Sequence, residues 1–170
     1  MWRRARSTPA GVVTGLCRRV VLLFCGIALW AIPGEAQRPL TVQGTRSLTF
    51  GSLLAGVNKS VLRTDLINSG QLDISGPKNV SVLLTFTLPA TMAGPAGATL
   101  PLTFGSSDGG WSPPQQIGTQ TGFDPRVPYT APLDQNGKVS VFLGGTAKPT
   151  ANQKAGSYTG TITLTVVVLP

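Results

Sequence analysis

The C-terminal stretch from Tyr158 to Leu169 leaves little choice of local structure. Its even positions read Tyr158, Gly160, Ile162, Leu164, Val166 and Val168, while the odd positions read Thr159, Thr161, Thr163 and Thr165, turning apolar only at Val167 and Leu169. Successive side chains of a strand point to opposite faces, so this alternation predicts one core stripe and one threonine ladder. At ~3.3 Å per residue, such a strand spans about 40 Å. A flat apolar edge of that length invites aggregation, which predicts neighbours on both sides.

The same period recurs upstream. Val80, Val82, Leu84, Phe86 and Leu88 alternate with Ser81, Thr85 and Thr87 until Pro89, which lacks an amide donor, ends the ladder. Shorter runs occur at Leu40 and Val42, at Leu48 and Phe50, at Leu72 and Ile74, and at Leu100, Leu102 and Phe104. Val57, Val61 and the Leu66-Ile67 pair are less regular. Val139, Val141 and Leu143 follow Asn136-Gly137, a hairpin-turn signal. The string LTFGS occurs at Leu48–Ser52 and again at Leu102–Ser106 with unmatched flanks, which reads as one strand-to-turn solution used twice. No window beyond Gln37 shows helical spacing for more than a turn. Seven or so strands without helices predict an all-β fold, an antiparallel β-sandwich of immunoglobulin-like type, with a β-barrel as the alternative.

The N-terminus carries a different signal. Five arginines (Arg3, Arg4, Arg6, Arg18, Arg19) precede an apolar run from Val20 to Ile32, then Pro33, with Gly34 and Ala36 placed for cleavage between Ala36 and Gln37. The run is too short for a transmembrane helix, which needs about 20 residues. Residues 1–36 therefore read as a cleaved signal peptide and 37–170 as a single exported domain, bound for the periplasm, the cell surface or the medium, with no membrane span left. Cys17 and Cys25 leave with the signal, so the mature chain has no disulfide, thiol nucleophile or thiolate metal site. Its nine Lys and Arg against five Asp leave a formal charge of +4, spread without any run of three, which gives no footprint for nucleic acid.

Chemistry is hard to place. The chain has no histidine, which removes the commonest general base and zinc ligand. The mature acids are Asp65, Asp73, Asp108, Asp124 and Asp134; their spacing indicates no facing carboxylate pair and no calcium loop. Asp108-Gly109, Asp124-Pro125 and the segment after Asp134 read as turn chemistry. No catalytic residue, cofactor or metal is expected. The stretch from Gly105 to Gly137 holds six Gly and five Pro, so it either serves function or hides short strands. It also carries Trp111, Phe123 and Tyr129, candidate ligand contacts with carbohydrate as first choice; the competing reading folds Trp111 back over the end of the core.

Several strings together carry a resemblance: LTFGSLLAGV at Leu48–Val57, DISGPKNVSVLLTFTLPA at Asp73–Ala90, FDP at Phe123–Pro125, VSVFLGGTAKP at Val139–Pro149 and GSYTGTITLTVVV at Gly156–Val168. In order and spacing the chain resembles an uncharacterised family of secreted bacterial β-sandwich domains, a domain of unknown function similar in style to spore coat protein U and chaperone–usher pilins. That resemblance implies an exported β-sandwich, a surface or fimbria-like component. With the signal, the absent catalytic constellation and the long terminal strand, it leads to a non-enzymatic envelope or surface protein, a fimbria- or coat-like structural or adhesive subunit, with self-association or an envelope-protein partner engaged through strand edges. The alternative is a secreted carbohydrate- or ligand-binding module using 105–137. Pilins commonly carry a disulfide and a penultimate tyrosine, whereas this chain ends Leu169-Pro170. They also lend an N-terminal apolar strand to a neighbour. Here only Leu40 and Val42 alternate before Gly44.

Overall fold

The computed structural model describes residues 38–114 and 116–170. The expected signal and its cleavage point at Ala36 and Gln37 lie outside them. Twelve strands follow in chain order: β1 Thr41–Arg46, β2 Lys59–Val61, β3 Gly70–Ser75, β4 Ser81–Thr87, β5 Thr91–Ala93, β6 Thr99–Thr103, β7 Gly109–Ser112, β8 Thr121–Phe123, β9 Tyr129–Pro132, β10 Lys138–Leu143, β11 Gly145–Ala147 and β12 Thr163–Val168. The only helical pieces among the described residues are single 3₁₀ turns at Pro95–Gly97 and Ile117–Thr119.

Every strand pair is antiparallel. A five-stranded sheet in the order β1-β3-β10-β7-β8 packs against a three-stranded sheet, β12-β4-β9, around a core that includes Ile74, Val82, Leu84, Val139 and Val141. The result is an antiparallel sandwich, not closed into a barrel. A third sheet, β2-β11-β6-β5, draws on both layers, because β11 follows β10 after Gly144 alone and β5 follows β4 after three residues. It covers a second core of Phe50, Val61, Leu100, Leu102 and Ala147.

The alternation explains the strands it named. Val82 and Leu84 are wholly buried while Thr85 and Thr87 face solvent, and Val139, Val141 and Leu143 are buried along β10. The bend from β10 into β11 depends on Gly144. A Cβ there would lie 2.5 Å from the Val61 carbonyl oxygen and 2.7 Å from the Arg63 amide nitrogen, so only glycine lets the chain turn so close to β2.

Four expectations change. The terminal run is not one continuous strand: Thr159 bridges Ala93, and β12 pairs with β4 only from Thr163, opposite Thr87. Between those points the β4–β5 side carries two more residues, including Pro89, and the ladder is lost. Nor does β12 have two neighbours among the described residues, where β4 is its only partner. The Asn136-Gly137 turn forms, with Gly137 at φ +72°, but it joins β9 to β10 in different sheets as an arch rather than a hairpin. Asp134 Oδ1 accepts from the amides of Asn136 (2.8 Å) and Lys138 (2.7 Å), and the Gly76 amide donates to the Gly137 carbonyl (2.8 Å), tying this arch to the one from β3 to β4. Finally, Leu48–Phe50 is not a strand: the Thr49 amide donates to Asn68 (2.9 Å) outside any ladder. The second LTFGS copy begins in β6, yet both copies direct a leucine and a phenylalanine into the second core.

Candidate functional site

The 105–137 segment hides β7, β8 and β9. Its three aromatics are brought together, and they meet at the core. Phe123, on β8, is 5% exposed, with its ring stacked 4.5 Å from Tyr129 and 6.3 Å from Phe86, centroid to centroid. Trp111 packs against the same cluster and donates its indole N–H to the Tyr129 hydroxyl at 3.0 Å. Opposite Phe123 stands Gly109, where a Cβ would meet the ring at 2.7 Å. Phe123 is thus enclosed, while Trp111 and Tyr129 are half-buried.

Four of the five acid side chains act locally, and Asp73 ties distant strands. Asp65 Oδ1 accepts from the amides of Ile67 and Asn68 (2.8 Å each), while Arg46 donates to the carbonyls of Leu66 and Ser69 (2.6 and 2.7 Å), which together fix the 65–69 turn. Asp108 Oδ2 accepts from the Gly105 amide (2.6 Å), and Asp124 pairs with Arg126 (2.7 Å). Asp73, on the outer face of β3, accepts from Ser140 and Thr45 (2.7 Å each) and Gln71 (3.1 Å). Among the described residues no three of His, Cys, Asp and Glu gather to hold a metal ion.

These contacts set an acid limit. Burial pushes the Asp73 carboxyl up, but hydrogen bonds from Ser140, Thr45 and Gln71 outweigh it and hold the group below its ordinary value. Asp65 is lowered by the Asn68 amide and side chain and the Ile67 amide, and Asp124 is drawn down to about 2 by Arg126. Depressed values mean that the unfolded chain binds protons first as pH falls. The stability these groups supply is therefore present above the ordinary aspartate value of about 3.9 and is lost on descent toward about pH 2. With no histidine, no side chain of ordinary pKa titrates between about pH 5 and 8. Urea unfolding across pH is expected to be flat over that interval and to fall steeply only below about pH 4, with the acid limb shallower in Asp73→Asn. A marked stability change near neutral pH would contradict the assignment.

The sheet edges differ in how they are guarded. The edge strand β1 contains Gly44, Arg46 and a register shift between them; β2 is three residues long and carries Lys59; β5 and β8 are also three residues long; β9 ends in Pro132. By contrast, β12 is six residues long, in unbroken register with β4, and has no charge, proline or glycine. Charges, bulges, proline and shortness are the usual devices that keep an edge from pairing. The Leu169 amide donates to Ser81 (2.9 Å), and hydrogen-bonded positions alternate in an antiparallel ladder, so the amides of Leu164, Val166 and Val168 point away from β4. Thr163 and Thr165 stand opposite Thr87 and Thr85 on the outer face, beside Val167 and Leu83, and that face of the three-stranded sheet carries no charge. Periodicity finds the strand; that it lies at an edge is not visible in the sequence.

Neither a protein-family model nor a curated protein sequence matches this chain.

Proposed function

We propose that this chain is an exported, non-enzymatic envelope or surface subunit, a fimbria- or coat-like structural or adhesive domain that associates by adding a strand to the free edge of β12. The observation that carries the reading is the contrast between that unguarded six-residue edge and the shortened, charged, bulged or proline-bearing edges elsewhere in the fold. An added strand would gain main-chain hydrogen bonds from the outward amides and continue an uncharged face. A molecule of net positive charge can approach its own copy there without bringing cations together. The N-terminal segment is not a free donor in this chain, because β1 pairs with β3 of its own sheet.

The experiment is the solution mass of the exported, processed protein over a concentration series, beside Val167→Lys. Val167 is 51% exposed on the outer face, so the substitution is expected to change stability by no more than about 0.5 kcal/mol. Wild-type protein is expected to associate as concentration rises, and the lysine variant to stay monomeric. A monomer at every concentration, with no envelope protein held in a manner that Val167→Lys abolishes, sinks this reading.

A further inference from the structure

Away from the β12 edge, a groove of about 690 Å³ opens onto the second core between the segments 48–55 and 149–158. Its floor is Phe50 and Leu100, and its walls include Leu53, Met92 and Tyr158, all only half-buried. Phe50 and Leu100 are themselves buried, and the half-buried side chains around them form the surface that the groove offers. A cleft of this size with an apolar base is in the range that encloses small ligands.

The walls are braced. The Tyr158 hydroxyl donates to the Lys154 carbonyl (2.7 Å) and accepts from Gln153 Nε2 (2.6 Å). Gln153 also donates to the Thr99 carbonyl (3.1 Å), and its Oε1 accepts from the Thr150 amide (3.2 Å). Tyr158 lies against Gly94, where a Cβ would strike the ring. The loop is thus fixed before any ligand arrives, which lowers the ordering penalty of binding. With its hydroxyl committed, Tyr158 offers the groove its ring rather than a polar handle.

The charge at the groove has one sign. Among the described residues Lys154 is the only charged one lining it and no acid does, and Lys59 Nζ sits 3.5 Å from the Ser52 carbonyl on the opposite lip. A trough of mixed lining, with apolar side chains at its base and a cationic rim, fits a ligand with a hydrocarbon body and a single anionic head. We infer that this groove binds an aliphatic carboxylate, its tail along Phe50, Leu100, Met92 and Tyr158 and its head at Lys154. The site is independent of strand-edge association.

The test is calorimetric titration of the exported, processed protein with dodecanoate below its micelle-forming concentration, with dodecyl maltoside as the uncharged comparison. Saturable one-to-one binding is expected. An exposed ion pair contributes modestly, so Lys154→Gln is expected to weaken binding about threefold at low salt, with the gap narrowing as salt rises. Leu53→Asp, in a loop outside every strand, places a like charge and a polar group on the wall and is expected to weaken binding at least about tenfold. Val167→Lys is expected to bind dodecanoate as wild type does, so the failure of one proposal leaves the other readable. Three results would each overturn the inference: no saturable dodecanoate binding, binding indifferent to both groove variants, or equal affinity for the uncharged amphiphile.

Discussion

Phe123→Ala is expected to remove about 3–5 kcal/mol of folding stability, the range for deleting a buried aromatic ring from a packed core. The ring belongs to β8, the edge of the five-stranded sheet, and stacks on Tyr129 of β9 and near Phe86 of β4, both in the opposite layer. Its loss would hollow out the contact between the layers at that end. It would also take one side from Tyr129, whose hydroxyl holds the indole of Trp111. Urea unfolding measures the change, and a fall in Tm of roughly 10 °C or more should accompany it. A loss below about 1 kcal/mol would mean that the ring is not core, and the ligand-contact reading of the 105–137 aromatics would regain its footing.

Gly144→Ala comes next in size, at about 3 kcal/mol, the upper end for overpacking a well-filled site. The atoms a methyl group would meet are the Val61 carbonyl oxygen, the Arg63 amide nitrogen and the Leu62 carbonyl carbon, all main chain and unable to swing aside as a side chain could. Relief requires moving β2 off β11, which opens the second core at Val61. Gly118→Ala is the control: a Cβ there has nothing within 4 Å, and the change is expected to stay within about 0.5 kcal/mol. Equal stability for the two variants, by thermal unfolding, would contradict the described bend.

What the sequence made legible followed from side-chain period. Val80 to Leu88 carry their burial in their alternation, and Asp108, Asp124 and Asp134 announce their turns through the residues that follow them. The short strands β7, β8 and β9 escape because they hold three or four residues each and owe their state to distant partners. Gly110 pairs with Phe142 and Gly122, and the Arg63 side chain lies across both glycines, an arrangement with no local signal. Phe142 shows the same limit. Alternation places it on the outer face, yet it is 1% exposed, at a small cleft that Arg46, Leu66, Gln71 and Ile117 also line. The groove was invisible for a related reason: its two sides come from segments far apart in the chain. The repeated LTFGS was the one hint, since both copies feed the same core.

The long separation in sequence between β4 and β12 has a kinetic consequence. Its partner β4 is made long before it, and β3 likewise waits for β10. Such non-local pairing makes folding slow, because loop closure comes before the contacts that reward it. A chain emerging N-terminus first cannot complete its three-stranded sheet until β12 has been made. Until then Val82 and Leu84 sit on a strand lacking its neighbour, which leaves the nascent molecule open to mispairing and gives a holding factor time to act.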